Sequence, residues 1–297
     1  MEVANPLGIG PDLDVRAGGR VVVGFDGSPS AGRALEWAAS EALARDSLLH
    51  VITCFAVPDA VDYYGIGARQ RRQSDEATRA VRSLHPSLKV ETATTNLDPR
   101  DALTVALTSS DLLVVGAAKR GTAASWLFGS IPRSATRASP CPVVVVRGER
   151  RPGIRRILVG IDSSDASIAA ADWACHEADL HGANVVIRHA WLNTSHRDSS
   201  IRERRLAHTD LESALDLVVN RCRQRTVATV VGQLVDGEPA SVLNKASADF
   251  DLLALGSRGR SGFKTMLFGS LALEVADQAQ CPVAILHPRP IPSAAPR

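Results

Sequence analysis

Two glycine-bearing segments carry the residues with the clearest chemical use. The second half of the chain holds Gly256, Ser257, Arg258, Gly259, Arg260, Ser261 and Gly262 in succession, and further on Gly269-Ser270. The first half holds Gly116, Ala117, Ala118, Lys119, Arg120 and Gly121, and further on Gly129-Ser130. Each segment follows a short apolar run opened by an aspartate, Asp251 or Asp111. Backbone N–H groups approach an anion closely where no Cβ intrudes, and a helix N-terminus adds a favourable field. An apolar strand ending in such glycines, with a Gly-Ser pair opening another helix, suits phosphates. Near the start of each half stand Gly24, Phe25, Asp26 and Gly27, and Gly160, Ile161, Asp162 and Ser163. An ionised aspartate only accepts hydrogen bonds, which suits a ribose or an adenine.

The elements that must hold these residues recur along the chain. Val23 to Ser28 matches Val159 to Ser164, and Trp37 matches Trp173, all 136 positions apart. Gly116 matches Gly256, Gly129-Ser130 matches Gly269-Ser270, and Cys141-Pro142 matches Cys281-Pro282, all 140 apart. An ordered series of this kind means two copies of one unit, not a solenoid. Short β-branched runs (Arg20 to Phe25, Ile157 to Ile161) suit buried parallel strands. Serines and Asp165 supply caps for the alanine-rich helices that carry Trp37 and Trp173. Second strands are expected near Leu48 to Phe55 and Asn184 to Trp191, and charged helices near Arg69 to Leu84 and Ser200 to Arg225. Third strands near Leu88 to Thr95 and Val227 to Val235 lead to helices opened by Pro99 and Pro239, which suit a first turn. The Asp-opened strand, the glycine loop, a short helix and a last strand (Pro142 to Arg147, Pro282 to His287) complete each copy. Strands alternating with helices predict an α/β fold with a doubly wound parallel sheet in each half. The domains are expected at 20–147 and 155–287, after an N-terminal extension (1–19), around a linker (148–154) and before a tail (288–297).

At 297 residues each half is long enough to bury its own core. The apolar fraction of 45% and charged fraction of 22% are those of an ordinary globular protein. A net charge of +2 is too small to argue for nucleic acid as a partner. Five scattered cysteines without a CxxC pair suggest reduced thiols, and no apolar run reaches a membrane span. The amino-terminal stretch does not read as a secretion signal, so a cytoplasmic location is expected. The eight histidines show no metal-binding spacing.

In its ordered motifs the chain resembles the universal stress proteins in tandem form. That family's loop pattern, G-x2-G-x9-G-[ST], is met in full by Gly256, Gly259, Gly269 and Ser270. The Val159 to Ser164 start, the Asp251 to Gly256 strand and the terminal Cys281-Pro282-Val283 run match as well. The resemblance implies two flavodoxin-like domains with five-stranded sheets of order 3-2-1-4-5, the last strand being used for domain pairing. It implies ATP as ligand, with Mg²⁺ carried by the ATP phosphates, and a homodimer. Asp162 and Gly160 would face Gly256 across one crevice, Ala190 would offer backbone contacts to adenine, and 256–262 would wrap the phosphates. Ser270 with the Leu271 N–H would cap them. In the first half Asp26, Gly24, Phe55, Gly116, Ser130 and Ile131 would take these places. That half departs from the pattern at Lys119, which replaces the second loop glycine, and at Leu97, which stands where the other half has Gly237. A side chain at 119 narrows the backbone and crowds a phosphate, or supplies it a positive charge, with Gly121 restoring the turn. The first site therefore binds more weakly, binds differently or is empty.

Each residue also has a plainer reading. Asp26 and Asp162 serve as helix-entry residues, Ser130 and Ser270 as N-caps, and Arg258 as a solvated cation. Trp37 and Trp173 read as core residues, the clusters 69–72 and 202–205 as solvated faces at the starts of equivalent helices, and Cys141 and Cys281 as small buried groups. Three functions follow: a nucleotide-dependent stress regulator that is not an enzyme, a slow ATPase or adenylyl-transfer enzyme, and a dimerisation scaffold with vestigial sites. The absence of a Walker A Gly-Lys pair and of any evident base favours the first.

Overall fold

The computed structural model describes residues 19–54, 63–105, 107–117, 139–149, 151–192, 201–257 and 270–287. They divide into two compact units, one up to Gly153 and one from Ile154 onward, with Ala276–Ala284 grouped with the first. The first half runs β1 (Val21–Gly24), α1 (Pro29–Ala44), β2 (Leu49–Cys54), α2 (Tyr63–Leu84), β3 (Val90–Thr95), α3 (Pro99–Val105), β4 (Leu112–Gly116) and β5 (Val143–Val146). The second runs β6 (Arg156–Ile161), α4 (Asp165–His181), β7 (Asn184–Trp191), α5 (Ile201–Arg223), β8 (Val230–Asp236), α6 (Pro239–Ala246), β9 (Leu252–Gly256), α7 (Ser270–Gln278) and β10 (Val283–Leu286). Strand order is β3-β2-β1-β4-β5 in one half and β8-β7-β6-β9-β10 in the other. The pairings of β1 with β2 and β4, and of β6 with β7 and β9, are all parallel. This is the doubly wound parallel sheet expected from the alternation of strands and helices, in the strand order that the family resemblance implies.

Sequence chemistry explains the elements. β1, β4 and β5 are valine and leucine runs buried along almost their whole length, as a strand covered on both faces requires. Both first helices start on a serine: the Ala31 N–H donates to Ser28 Oγ at 3.1 Å, and the Ser167 N–H to Ser164 Oγ at 3.2 Å. Their buried stripes are made of alanines, Ala31, Ala34, Ala38 and Ala42 in α1, and Ala170, Ala174 and Ala178 in α4. Small residues at that spacing let a helix lie close against the sheet. α4 ends at Gly182, whose φ of 65° lets its N–H reach Ala178 O.

The aspartate before each fourth strand works at the amino edge of the sheet. Asp111 accepts from the Arg20 N–H at 2.8 Å, from Arg20 Nη2 at 2.8 Å and from the Thr108 N–H at 2.9 Å. Asp251 accepts from the Arg155 and Arg156 N–H groups at 2.9 and 3.0 Å. Burial opposes ionisation of Asp111, yet the Arg20 and Thr108 donors outweigh it and hold the carboxyl below its ordinary value. Beside them His50, on β2, is buried, and burial together with the Arg20 charge lowers its pKa to about 4.

Several boundaries differ from the sequence reading. α2 begins at Tyr63, so 69–72 lies inside that helix, whereas 202–205 does open α5. Gly65 and Gly67, each costing about 1 kcal/mol in a helix interior, concealed that start. β8 begins at Val230 because the Val227 N–H is taken by Asp179 and the Ala228 N–H by Thr226 Oγ1. Trp37 and Trp173 are half-buried and not core residues, while Cys141 and Cys281 are buried. The short helix expected before β5 falls outside the described residues.

Candidate functional site

The order of each sheet reverses between its first and fourth strands, β1 and β4 or β6 and β9. In such sheets the crevice beyond the carboxyl ends at that point is where ligands settle. Pairing of Gly160 with Leu255, and of Ile161 with His189, fixes which residues emerge there. Asp162 and the Gly256-Ser257 pair leave β6 and β9 at one edge, level with Ala190 near the end of β7. In the first half Gly24 pairs with Ile52 and Val23 with Val114, which brings Phe25, Asp26, Gly27, Gly116 and Ala117 to the corresponding edge. Phe25 and Ile161 bury their side chains, so what they turn to the crevice is backbone.

Both aspartates act in the turn that enters the first helix. The Ser28 N–H donates to Asp26 Oδ1 at 2.9 Å. Asp162 Oδ1 accepts from the Ser164 N–H at 3.1 Å and from Ser164 Oγ at 2.6 Å. The helix-entry reading therefore holds. It is compatible with a ligand role, because a carboxylate offers about four lone-pair sites. The turn needs one residue with positive φ: Gly27 at 79° in the first half and Ser163 at 62° in the second. Serine in that conformation costs about 1–2 kcal/mol. Its Oγ is buried without a hydrogen-bond partner among the described residues. A strained residue with an orphaned hydroxyl at the lip of the crevice fits a polar ligand.

The first loop glycines have a different reason to be glycine. A Cβ on Gly256 would lie 2.6 Å from Ala166 C and 2.7 Å from Ser167 N; one on Gly116 would lie 2.6 Å from Ser30 C and O. The fourth strand ends directly against the first turn of α4 or α1, which leaves no room for a side chain. Gly160 is enclosed in turn, with Leu255 Cδ2 at 2.6 Å and Leu243 Cδ1 at 2.9 Å from such a Cβ. Gly237 has φ 140° and a nearby Val242, whereas Leu97 is not among the described non-glycine residues with positive φ, Asp46 and Ser163. The backbone before α3 therefore follows a different path from that before α6.

One contact escaped the sequence reading. The Ser257 N–H donates to Leu286 O at 2.7 Å, and Ser257 Oγ lies 3.0 Å from His287 Nδ1. This Ser–His tie joins the ends of β9 and β10; Ala117 and Arg147 take these positions in the first half. Ser270 and Leu271 open α7 as expected. Arg258, Gly259, Arg260, Ser261, Gly262 and Gly269 lie outside the described residues, as do Phe55, Ala118, Lys119, Arg120, Gly121, Gly129, Ser130 and Ile131.

The fold defines a protein of two α/β units, each with a parallel sheet whose strand order reverses between its first and fourth strands. The chain belongs to the universal stress protein family, whose model matches residues 19–147 and 153–287. A universal stress protein of Mycobacterium tuberculosis is 29% identical over 298 residues, spanning 89% of this chain and 94% of that protein. A universal stress protein structure from Archaeoglobus fulgidus superposes with a TM-score of 0.64 at 18% identity, covering 90% of this chain and 96% of that one. One from Pseudomonas aeruginosa, described as a putative universal stress protein, gives 0.66 at 16% identity, covering 92% and 94%. At these identities the two structures speak for the fold alone. Among the described residues no helix is long and apolar enough to cross a membrane.

Proposed function

We propose that the second unit binds ATP in the crevice between β6 and β9, and that the protein is a nucleotide-dependent regulator in a stress response, not an enzyme. The observation that carries this reading is the convergence of Asp162, Ser163, Ala190 and Gly256-Ser257 on one edge at the strand-order reversal. Asp162 and the Ser163 hydroxyl face the ribose and adenine end, with backbone from Ala190 beside the base. The stretch 256–262 and the start of α7 at Ser270 and Leu271 receive the phosphates, and Mg²⁺ enters with ATP through those phosphates. Gly27 removes the hydroxyl in the first unit and Lys119 removes a loop glycine, so occupancy there is weaker.

The test is the nucleotide released from purified, acid-denatured protein, identified by mass spectrometry, together with ATP titration of wild type and Gly259→Glu. Intact ATP at about one per chain, lost in Gly259→Glu, is the expected result. Unchanged affinity in Gly259→Glu removes the loop assignment. ADP or AMP alone, with turnover above that of the variant, transfers the reading to a slow ATPase or adenylyl-transfer enzyme. No binding by a normally folded homodimer makes the protein a scaffold.

A further inference from the structure

The second unit contains a pair of cysteines with no part in the crevice. Cys175 on α4 and Cys222 on α5 are fully buried, and each thiol is the other's strongest electrostatic partner. Polar clamps fix the two helices on both sides of this contact. One turn before Cys175, Asp172 accepts from Arg221 Nε at 2.9 Å and Nη2 at 2.7 Å, and Arg225 Nη1 lies 3.2 Å from the same carboxylate. One turn after it, Asp179 accepts from Thr226 Oγ1 and from the Val227 N–H at 3.0 Å. Asp172, Cys175 and Asp179 share a helix face by spacing, so the thiols meet midway between two fixed points.

The first unit shows that packing does not require sulfur here. Arg82 donates to Val90 O as Arg223 donates to Val230 O, which makes Val81 the counterpart of Cys222. The counterpart of Cys175, by the offset that relates Trp37 to Trp173, is Ala39. Both are buried apolar residues. Buried Ala39 and Val81 stand in one unit where the other buries two thiols, so filling space does not call for sulfur at these positions.

We propose that Cys175 and Cys222 form a reversible disulfide that locks α4 to α5 when the protein meets hydrogen peroxide. The Cys222 sulfur attacks one peroxide oxygen; the O–O bond breaks, and the departing oxygen leaves as water. The Cys175 sulfur then displaces the remaining hydroxyl from the Cys222 sulfenic acid as a second water, forming the S–S bond. Two thiols are oxidised by two electrons and one peroxide is reduced, with both thiol protons ending in water. Interaction with Cys175, ahead of the neighbouring Arg221 and Arg225 charges, holds the Cys222 thiol below its ordinary value, against burial and the Asp172 charge. Burial pushes Cys54 and Cys141 up to about 11, which keeps them protonated and slow to react. Local opening of α5 admits a reagent hardly larger than water.

The experiment treats the folded full-length chain with hydrogen peroxide, alkylates residual thiols under denaturing conditions and maps the peptides. A cross-linked peptide joining Cys175 to Cys222 is expected, with free thiols falling from five to three and returning to five after dithiothreitol. Oxidation raises Tm in wild type and leaves it unchanged in Cys175→Ala/Cys222→Val, a variant that folds because it installs the first unit's own pair. Five titratable thiols after treatment, a sulfinic or sulfonic acid at either position without the cross-link, or a different pairing overturns the proposal.

Discussion

Ser163 combines two properties that a stability-driven design would separate. It occupies a left-handed turn position that its counterpart fills with Gly27, and it buries a hydroxyl that bonds to no described residue. Ser163→Gly relieves the strain but adds flexibility to the unfolded chain, a net gain of about 0.5–1 kcal/mol. The same change removes the hydroxyl from the crevice, so ATP affinity is expected to fall several-fold. Urea denaturation and nucleotide titration on the one variant check both signs; a gain in stability without loss of affinity shows that the hydroxyl is not a ligand contact. Gly256→Ala acts differently. Its Cβ meets helix backbone and not a yielding side chain, so about 1–3 kcal/mol of stability is lost, measurable by denaturant midpoint.

At the scale of elements, the amino and carboxyl edges of each sheet divide the work. The amino edge carries the Arg20–Asp111–His50 group, which sets a pH dependence. His50 is neutral in the fold with a pKa near 4, while the unfolded chain protonates it below about pH 6.5. Its contribution is therefore present above pH 6.5 and lost as the pH falls toward 4, in total about 3 kcal/mol. His50→Val, which installs the residue found at Val186, should flatten the fall in urea midpoint between pH 6.5 and 4. Asp111 adds a second acid loss below pH 4, as the pH drops through its lowered value. Asp111→Asn should cost about 3 kcal/mol at pH 7, and less only in acid strong enough to protonate the wild-type carboxylate through its lowered value. The alternation of apolar runs and alanine-rich segments made the element order legible. The Asp–Leu–Leu openings were legible as a pattern but not as the clamp that starts β1 and β6, because that bond joins residues far apart in sequence. The Ser257–His287 tie stayed hidden for the same reason: only the sheet brings those positions level.

For the whole molecule, duplication supplies an internal reference that a single domain lacks. Each difference between the copies marks something the fold itself does not demand: Lys119 for Gly259, Gly27 for Ser163, and Ala39 with Val81 for the two thiols. Saturating ATP, at about a hundred times its Kd, should stabilise wild type by about 2.7 kcal/mol through binding to the native state, and Gly259→Glu by much less. Calorimetry with and without nucleotide measures this, and stabilisation that survives the substitution places the ligand elsewhere. Gly116 and Gly256, by contrast, are the same in both copies, because in each the strand end abuts the first helical turn. Genome scans that score this glycine as a mark of nucleotide affinity are thus counting helix seating. A paralogue could shed its ligand entirely, drift for as long as its fold endured, and still display that residue as a false credential.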